Sequence, residues 1–397
     1  MSKQPITPIA AADGAALLNA FRLVSVGVDT KATRPIHAHI LVAITQDKTI
    51  ELRSYRTGSS LKYTTKAEHV WQPHTFTLSA VEFSKRTNAL RGRVELGVLG
   101  NHIVFSSGNL QFAMDTLDAE DFPIDVTTTM QPLASFSSEE FARYLRLTSA
   151  TIDKRYHLAI GGLWLRTQGD KLVLASVAEA LGGTRCEVPA IVQGEPVNMV
   201  IPRPMVNAMM VGLAYGGVST TVELFETPAK NQLGIRVGEA FVSGQALGWE
   251  QFPNIDQFLT QEIVSSCQVP RQDLVSILGF IANTWTRKDT PARAAFQFSR
   301  EKLVVYNPVE RTTTMDISSE LHGAPTTIQL NAKQVRSTVA DLRADVVNLG
   351  ISSKGYVVIT DPSDAKYIHV AMPFFGTWVA DEADESEVED VPLDIAA

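Results

Sequence analysis

Two hydrophobic rhythms alternate along this chain, and the same junction between them occurs three times. Thr77-Leu78-Ser79-Ala80 leads into an amphipathic stretch carrying Val81, Phe83 and Leu90. Val200-Ile201-Pro202-Arg203 leads into a second, with Met205, Val206, Met209 and Leu213. Gln329-Leu330-Asn331-Ala332 leads into a third, with Val335, Val339 and Leu342. Each time a short strand-like run meets a helix-like run, and Ser79, Pro202 and Asn331 suit the capping positions at a helix start. A second phrase also recurs, Leu117-Asp118-Ala119-Glu120-Asp121-Phe122-Pro123 and Leu247-Gly248-Trp249-Glu250-Gln251-Phe252-Pro253. A period of ~130 residues is the size of a domain, so the pattern reads as one module copied and fused.

Periodicity predicts the same order of elements in each copy. In the first, a helix from Asp13 to Phe21 precedes strands His39 to Ile44, Thr49 to Tyr55, Leu61 to Lys66 and Thr75 to Leu78. A helix from Ala80 to Leu90 then precedes strands Arg93 to Leu99, His102 to Ser106 and Leu110 to Asp115. In the second, helix Ser138 to Ala150 precedes strands at 162–167, 171–176 and 197–201, and helix Pro204 to Ala214 precedes strands at 220–226, 233–237 and 240–247. In the third, helix Arg271 to Thr284 precedes strands at 294–299, 302–307, 312–317 and 326–330, and helix Ala332 to Leu342 precedes strands at 346–352, 356–361 and 368–372. The predicted grammar is helix, strands, helix, strands: an α+β fold of half-buried antiparallel sheets and amphipathic helices. Leu274, Ile277, Leu278 and Ile281 make the clearest helix face. Gly182-Gly183-Thr184-Arg185 reads as an ordinary turn.

A chain of 397 residues is too long for one core and suits about three domains. The divisions are 1–132, 133–264 and 265–378, with an acidic tail at 379–397. The net charge of -8 comes entirely from that tail: residues 381–397 hold eight Asp and Glu and no Lys or Arg, leaving 35 acidic against 35 basic. Its composition predicts disorder. A neutral body can still carry a basic face, so net charge does not exclude nucleic acid. Cys186 and Cys267 fall in different predicted domains and in no metal-ligand spacing, which points to a reducing, cytoplasmic setting. The most apolar long stretch, Met199 to Leu213, is interrupted by Pro202, Arg203, Pro204 and Asn207, so no membrane span or membrane partner is predicted.

No set of residues reads as catalytic, and no cofactor is predicted. His37 and His39 could share one face of a strand, but no third metal ligand stands at a suitable spacing. Gly161-Gly162 and Gly216-Gly217 lack the Lys-Ser/Thr of a phosphate-binding loop, and no Gly-x-Ser-x-Gly elbow occurs. Glu120 and Asp121 are paired carboxylates, yet the repeat has Glu250-Gln251 there, which favours a turn over acid–base work.

The order of several phrases resembles the bacterial replicative sliding clamp, the beta subunit of DNA polymerase III, over residues ~10 to ~375. They are Phe112-Ala113-Met114-Asp115-Thr116-Leu117 followed by Glu120 to Pro123, Arg155-Tyr156-His157-Leu158 followed by Gly161-Gly162-Leu163, Gly248 to Pro253, Asn331-Ala332-Lys333, and Tyr367 to Pro373. The resemblance implies three tandem clamp domains, each of two helix-plus-sheet halves, closing head to tail into a homodimeric ring of six domains. Helices would line the hole around double-stranded DNA. Cations facing phosphates would then suffice, without sequence readout. The candidates are Arg22, Lys85, Arg86, Arg143, Arg146, Arg203, Arg271, Lys333, Arg336 and Arg343 on predicted helices, and Arg34 before Pro35. Phe112 and Trp285 fall where the family packs its dimer interface.

The resemblance further implies the replicative DNA polymerase and a clamp loader as partners, docking by a short peptide in an apolar cleft between the second and third domains. Its walls would be Leu158, Ser176, Ala178, Leu181, Val370, Met372, Pro373 and Phe374. Two departures stand out. The family's Ala-Thr-Asp-Gly-His-Arg-Leu is replaced by Ala175-Ser176-Val177-Ala178-Glu179-Ala180-Leu181, and the chain runs on past Pro373. Peptide specificity is therefore expected to differ from that of a housekeeping clamp, and Val391 to Ile395 could fold back into the cleft as a competing ligand. The function implied is a non-enzymatic processivity factor. The alternative is a clamp-fold protein that sequesters replication partners without encircling DNA.

Overall fold

A computed structural model describes residues 5–56, 58–87, 90–123, 130–153, 159–178, 182–215, 220–228, 231–250, 252–259, 261–287 and 290–374. Leu158, Leu181 and the acidic tail lie outside them.

The first repeat runs β1 (Thr7–Asp13), α1 (Gly14–Ser25), β2 (His39–Ile44), β3 (Thr49–Arg56), β4 (Ser59–Lys66), β5 (His69–Val70), β6 (His74–Ser79), α2 (Ala80–Arg86), β7 (Arg93–Leu99), β8 (His102–Ser107) and β9 (Leu110–Asp115). The second runs β10 (Gln131–Ser137), α3 (Ser138–Ser149), β11 (Gly162–Gln168), β12 (Lys171–Ala178), β13 (Gly182–Val192), β14 (Asn198–Pro202), α4 (Arg203–Tyr215), β15 (Thr221–Glu226), β16 (Gln232–Val237) and β17 (Ala240–Gln245). A single turn, α5 (Asp256–Leu259), follows. The third runs β18 (Ile263–Pro270), α6 (Arg271–Thr284), β19 (Arg293–Phe298), β20 (Lys302–Tyr306), β21 (Thr314–Ser318), β22 (Thr326–Asn331), α7 (Ala332–Ala340), β23 (Val346–Ser352), β24 (Val357–Asp361) and β25 (Asp364–Ala371).

Leaving aside the two-residue β5, each repeat is therefore strand, helix and three strands, twice over. The two halves exchange strands: β1 pairs with β7 while β6 pairs with β2, β10 with β15 while β14 pairs with β11, and β18 with β23 while β22 pairs with β19. Each half thus completes the other's antiparallel sheet, so neither half can bury its backbone alone. The predicted grammar missed the strand that opens every repeat. In β1, Ile9, Ala10, Ala11 and Ala12 are all buried in succession, so small side chains replace the alternation a strand search needs. β13 was also missed. Gly182 to Arg185 are its first residues, paired with Ala178 to Ala175, and not a turn. Gly183 lies so close to Ser176 and Ile255 that a Cβ would meet the Ser176 carbonyl at 2.9 Å, which explains a glycine inside a strand.

Helix starts follow local chemistry. Ser79 caps α2 and Asn331 caps α7, accepting from Glu82 N at 3.4 Å and Gln334 N at 3.1 Å. Pro202 ends β14, immediately before α4 begins at Arg203. α7 ends at Ala340, two residues short of the predicted Leu342. The helices bury their apolar stripes on the sheets. Phe83 of α2 stacks on Phe21 of α1 at 3.7 Å between centroids and meets Phe105 of β8 at 5.4 Å. Leu274, Ile277, Leu278 and Ile281 of α6 are all buried, as the periodicity predicts. Each such side chain contributes about 1.5–3 kcal/mol.

The recurring Leu-to-Pro phrase has a structural role. Leu117 exchanges hydrogen bonds with the Thr77 hydroxyl of β6, N at 3.0 Å and O at 2.9 Å. Leu247 exchanges backbone bonds with Val200 of β14. Phe374 N donates to Gln329 O of β22 at 2.9 Å. The segment leaving each repeat therefore covers an edge strand.

The chain divides into two compact units, Met1–Phe258 with Lys366–Ile368, and Leu259–Ala365 with His369–Ala397. Within the first unit the first two repeats share a continuous sheet through β4 and β17, with Lys62 opposite Phe241.

Candidate nucleic-acid interface

Six helices, α1 to α4, α6 and α7, carry nine Lys or Arg and four Asp or Glu. The rest of the chain carries 26 and 39. Even without residues 381–397 the remainder has 31 acidic to 26 basic, so positive charge is concentrated on the helices.

The candidate cations differ in what they do. In the first unit, Arg22 and Arg146 are exposed on α1 and α3, and Arg203 is half-buried as the first residue of α4. Arg34 is exposed just before the 3-10 turn Pro35–Ala38, in the extended conformation a following proline demands. In the second unit, Lys333 and Arg336 are exposed on α7. No side-chain partner engages any of these six among the described residues. The rest are occupied. Lys85 pairs with Glu82 at 2.8 Å, which holds that carboxyl below its usual range. Arg86 donates to the Ala113 carbonyl of β9 at 2.8 Å. Arg271 donates to Ala344 O at 2.9 Å and Ala340 O at 3.0 Å, neutralising the C-terminal end of α7. Arg143 is only 8 % exposed, its guanidinium 5.0 Å from the Tyr144 ring, so its expected place facing solvent is not where the fold puts it. Arg343 stands beyond α7 rather than on it, in the turn whose Arg343 N and Ala344 N donate to Asp361.

Of the proposed peptide walls, Ser176, Ala178 and Val370 are buried. The Ser176 hydroxyl is spent on Thr148 O at 2.5 Å, so it cannot greet a ligand. Met372, Pro373 and Phe374 remain half-exposed. Arg293, which no pattern in the sequence marked, lays its guanidinium 4.3 Å over the Phe374 ring.

Phe112 is half-buried on β9 and stacks on Phe105 at 5.2 Å. Trp285 follows α6 and donates its indole N–H to Thr290 O at 3.1 Å. β9 and β21 each have a strand on one side only among the described residues.

No group of three or more His, Cys, Asp or Glu is placed to hold a metal among the described residues. His37 lies in the 3-10 turn and His39 opens β2, so the two do not share a strand.

Residues 13–127 match the family described as DNA polymerase III beta subunit, N-terminal domain. The beta sliding clamp of Proteus mirabilis is 23% identical over 377 residues, 90% of this chain and 97% of that protein. That of Escherichia coli K12 is 23% identical over 374 residues, with the same shares. The DNA polymerase sliding clamp from Bacillus subtilis superposes with a TM-score of 0.83 at 14% identity, covering 93% of this chain and 100% of the other. The DNA polymerase III beta subunit of Thermotoga maritima gives 0.82 at 14% identity, covering 92% and 99%. The α+β clamp fold expected from the sequence is the fold observed.

Proposed function

Taking as premise the support that the family match, the curated relatives and the solved structures give to a bacterial beta clamp, we propose that this chain is a DNA sliding clamp. Two copies join head to tail, β9 with Phe112 of one protomer meeting β21 and Trp285 of its partner. The ring of three repeats per copy encircles duplex DNA in a cytoplasmic setting. The helices face the phosphates through Arg22, Arg146, Arg203, Lys333 and Arg336, with Arg34 at the rim. Retention is topological, so a few mobile cations hold the duplex loosely enough to slide and read no sequence. The replicative polymerase docks by a short peptide against Met372, Pro373 and Phe374, and a clamp loader opens the ring. The chain performs no chemistry of its own.

The observation that carries this reading is the charge segregation: a surplus of five cations on the helices of a chain whose net charge is -8. The test is native mass with and without nicked circular DNA and a loader. A dimer that stays on circular DNA and leaves after linearisation is the expected result. A monomer, or a dimer that never loads, would favour partner sequestration instead.

A further inference from the structure

We propose that the acidic segment 381–394 docks in cis on the cationic face of α7 and competes there with DNA phosphates. The inference rests on the reading that α7 faces DNA, and adds a regulator carried by the chain itself.

Three observations converge on it. The first is where the described chain ends. Phe374 N is bound to Gln329 O, two residues before Asn331, the cap of α7. Its ring lies under Arg293, whose backbone register partner is Asn331. The chain therefore leaves from beside the first turn of α7. The second is the charge of that face. Lys333 and Arg336 are exposed and without ion pairs among the described residues, Ser337 and Ala340 beside them are neutral, and α7 contains no carboxylate. On the neighbouring α6 the charged residues are Arg271, already spent on the carbonyls of Ala340 and Ala344, and Asp273 in its first turn. Asp341 and Asp345 lie past the end of α7, so attraction is greatest toward its N-terminal two turns.

The third is reach. Six residues lie between Phe374 and Asp381, a span of seven steps or about 23 Å if extended, and α7 is about 14 Å long. Asp381, Glu382, Asp384, Glu385, Glu387, Glu389, Asp390 and Asp394 then supply about one negative charge every 6 Å of extended chain. A single DNA strand presents phosphates at a comparable, closer spacing of ~3.4 Å. An intramolecular competitor needs only weak contacts, because its effective concentration is about millimolar.

Two measurements on the full chain and on a chain ending at Ala380 decide the matter. Hydrogen exchange of residues 332–340, without DNA, should be slower in the full chain, and the difference should vanish at high salt. Anisotropy with a short fluorescent duplex should show the shortened chain binding about five- to tenfold more tightly. A synthetic peptide of residues 381–397 should reverse that gain, and Lys333→Gln with Arg336→Gln should erase the difference between the two lengths. No tail-dependent protection of α7 would overturn the docking. Protection with a DNA affinity indifferent to Lys333 and Arg336 would overturn the DNA-facing reading of α7, and the competition with it, while leaving the docking intact.

Discussion

Helices and sheets in this protein differ in how far their charges are matched. On the sheets, many cations are matched by carboxylates on the same or adjacent strands: Arg53 and Lys62 with Glu51, Lys171 and Arg185 with Glu187, Arg236 with Glu223, Lys302 with Asp316. On the helices, Arg22, Arg146, Arg203, Lys333 and Arg336 stand without such partners among the described residues. A strand presents cross-strand neighbours at close range, where opposite charges stabilise pairing. An outward helix face has no such neighbour unless one is placed at i+3 or i+4, as Glu82 is for Lys85 and Arg86 on α2. Arg34 before its 3-10 turn and Arg56 and Lys66 on strands also lack such partners among the described residues, so what sets the helices apart is their surplus, nine cations to four carboxylates.

The sharpest way to break the comparison is to remove the unmatched set. Replacing Arg22, Arg146, Arg203, Lys333 and Arg336 by Gln should lower affinity for short duplexes by about a hundredfold or more. The slope of log affinity against log salt should become shallower by about 0.9 for each phosphate no longer neutralised. Unfolding free energies from urea titration should stay within about 0.5 kcal/mol of the parent.

A carboxylate used structurally should behave in the reverse way. Asp361 is 2 % exposed. Burial alone would raise its pKa, but the Ser363 hydroxyl and the N–H groups of Arg343, Ser363 and Ala344 hold it below the usual carboxylate value. Asp361→Ala should cost about 2–3 kcal/mol by urea unfolding, through the donors it leaves unpaired, with the salt slope of DNA binding unchanged.

His369 gives β25 a pH signature of its own. It is fully buried in β25, and burial pushes its imidazole down to about 3. The unfolded chain binds this proton near pH 6.5 and the folded chain does not, so stability is constant above that value and falls below it. The loss should approach about 1.4 kcal/mol per pH unit between pH 6 and 3, and His369→Leu should flatten it. Denaturation at pH 7.5 and 5.5 measures the difference.

The smallest effect belongs to a matched pair. At Glu187 burial favours the neutral acid, but Lys171 and Arg185 outweigh it and depress the pKa. Glu187→Gln should cost about 0.5–1 kcal/mol at neutral pH, measured by thermal melting, and leave DNA affinity alone.

Much of the fold is legible from periodicity. β2, β7, β9, α6 and β23 have the predicted bounds; β2 alternates in burial and α6 carries a clear helical stripe. The strands β1, β10 and β18 were not legible. They are short runs of mixed small and polar residues whose strand character depends on partners about 80–90 positions away. The candidate site divides along the same line. Sequence marks which residues are cations. It does not distinguish Lys333, which has no side-chain partner among the described residues, from Arg271, which is consumed by two carbonyls, or Arg143, which is buried beside Tyr144.

The sequence by itself determined the threefold module, the helix caps at Ser79 and Asn331, the apolar stripes, and a net charge drawn from the last residues. Those depend on neighbours within a few positions and on composition. Only the tertiary structure decided the strand exchange between halves, the covering of edge strands by Leu117, Leu247 and Phe374, and which cations remain unmatched. Each of those requires a partner far along the chain, and the chain's local pattern carries no record of which distant group will claim a hydrogen bond first.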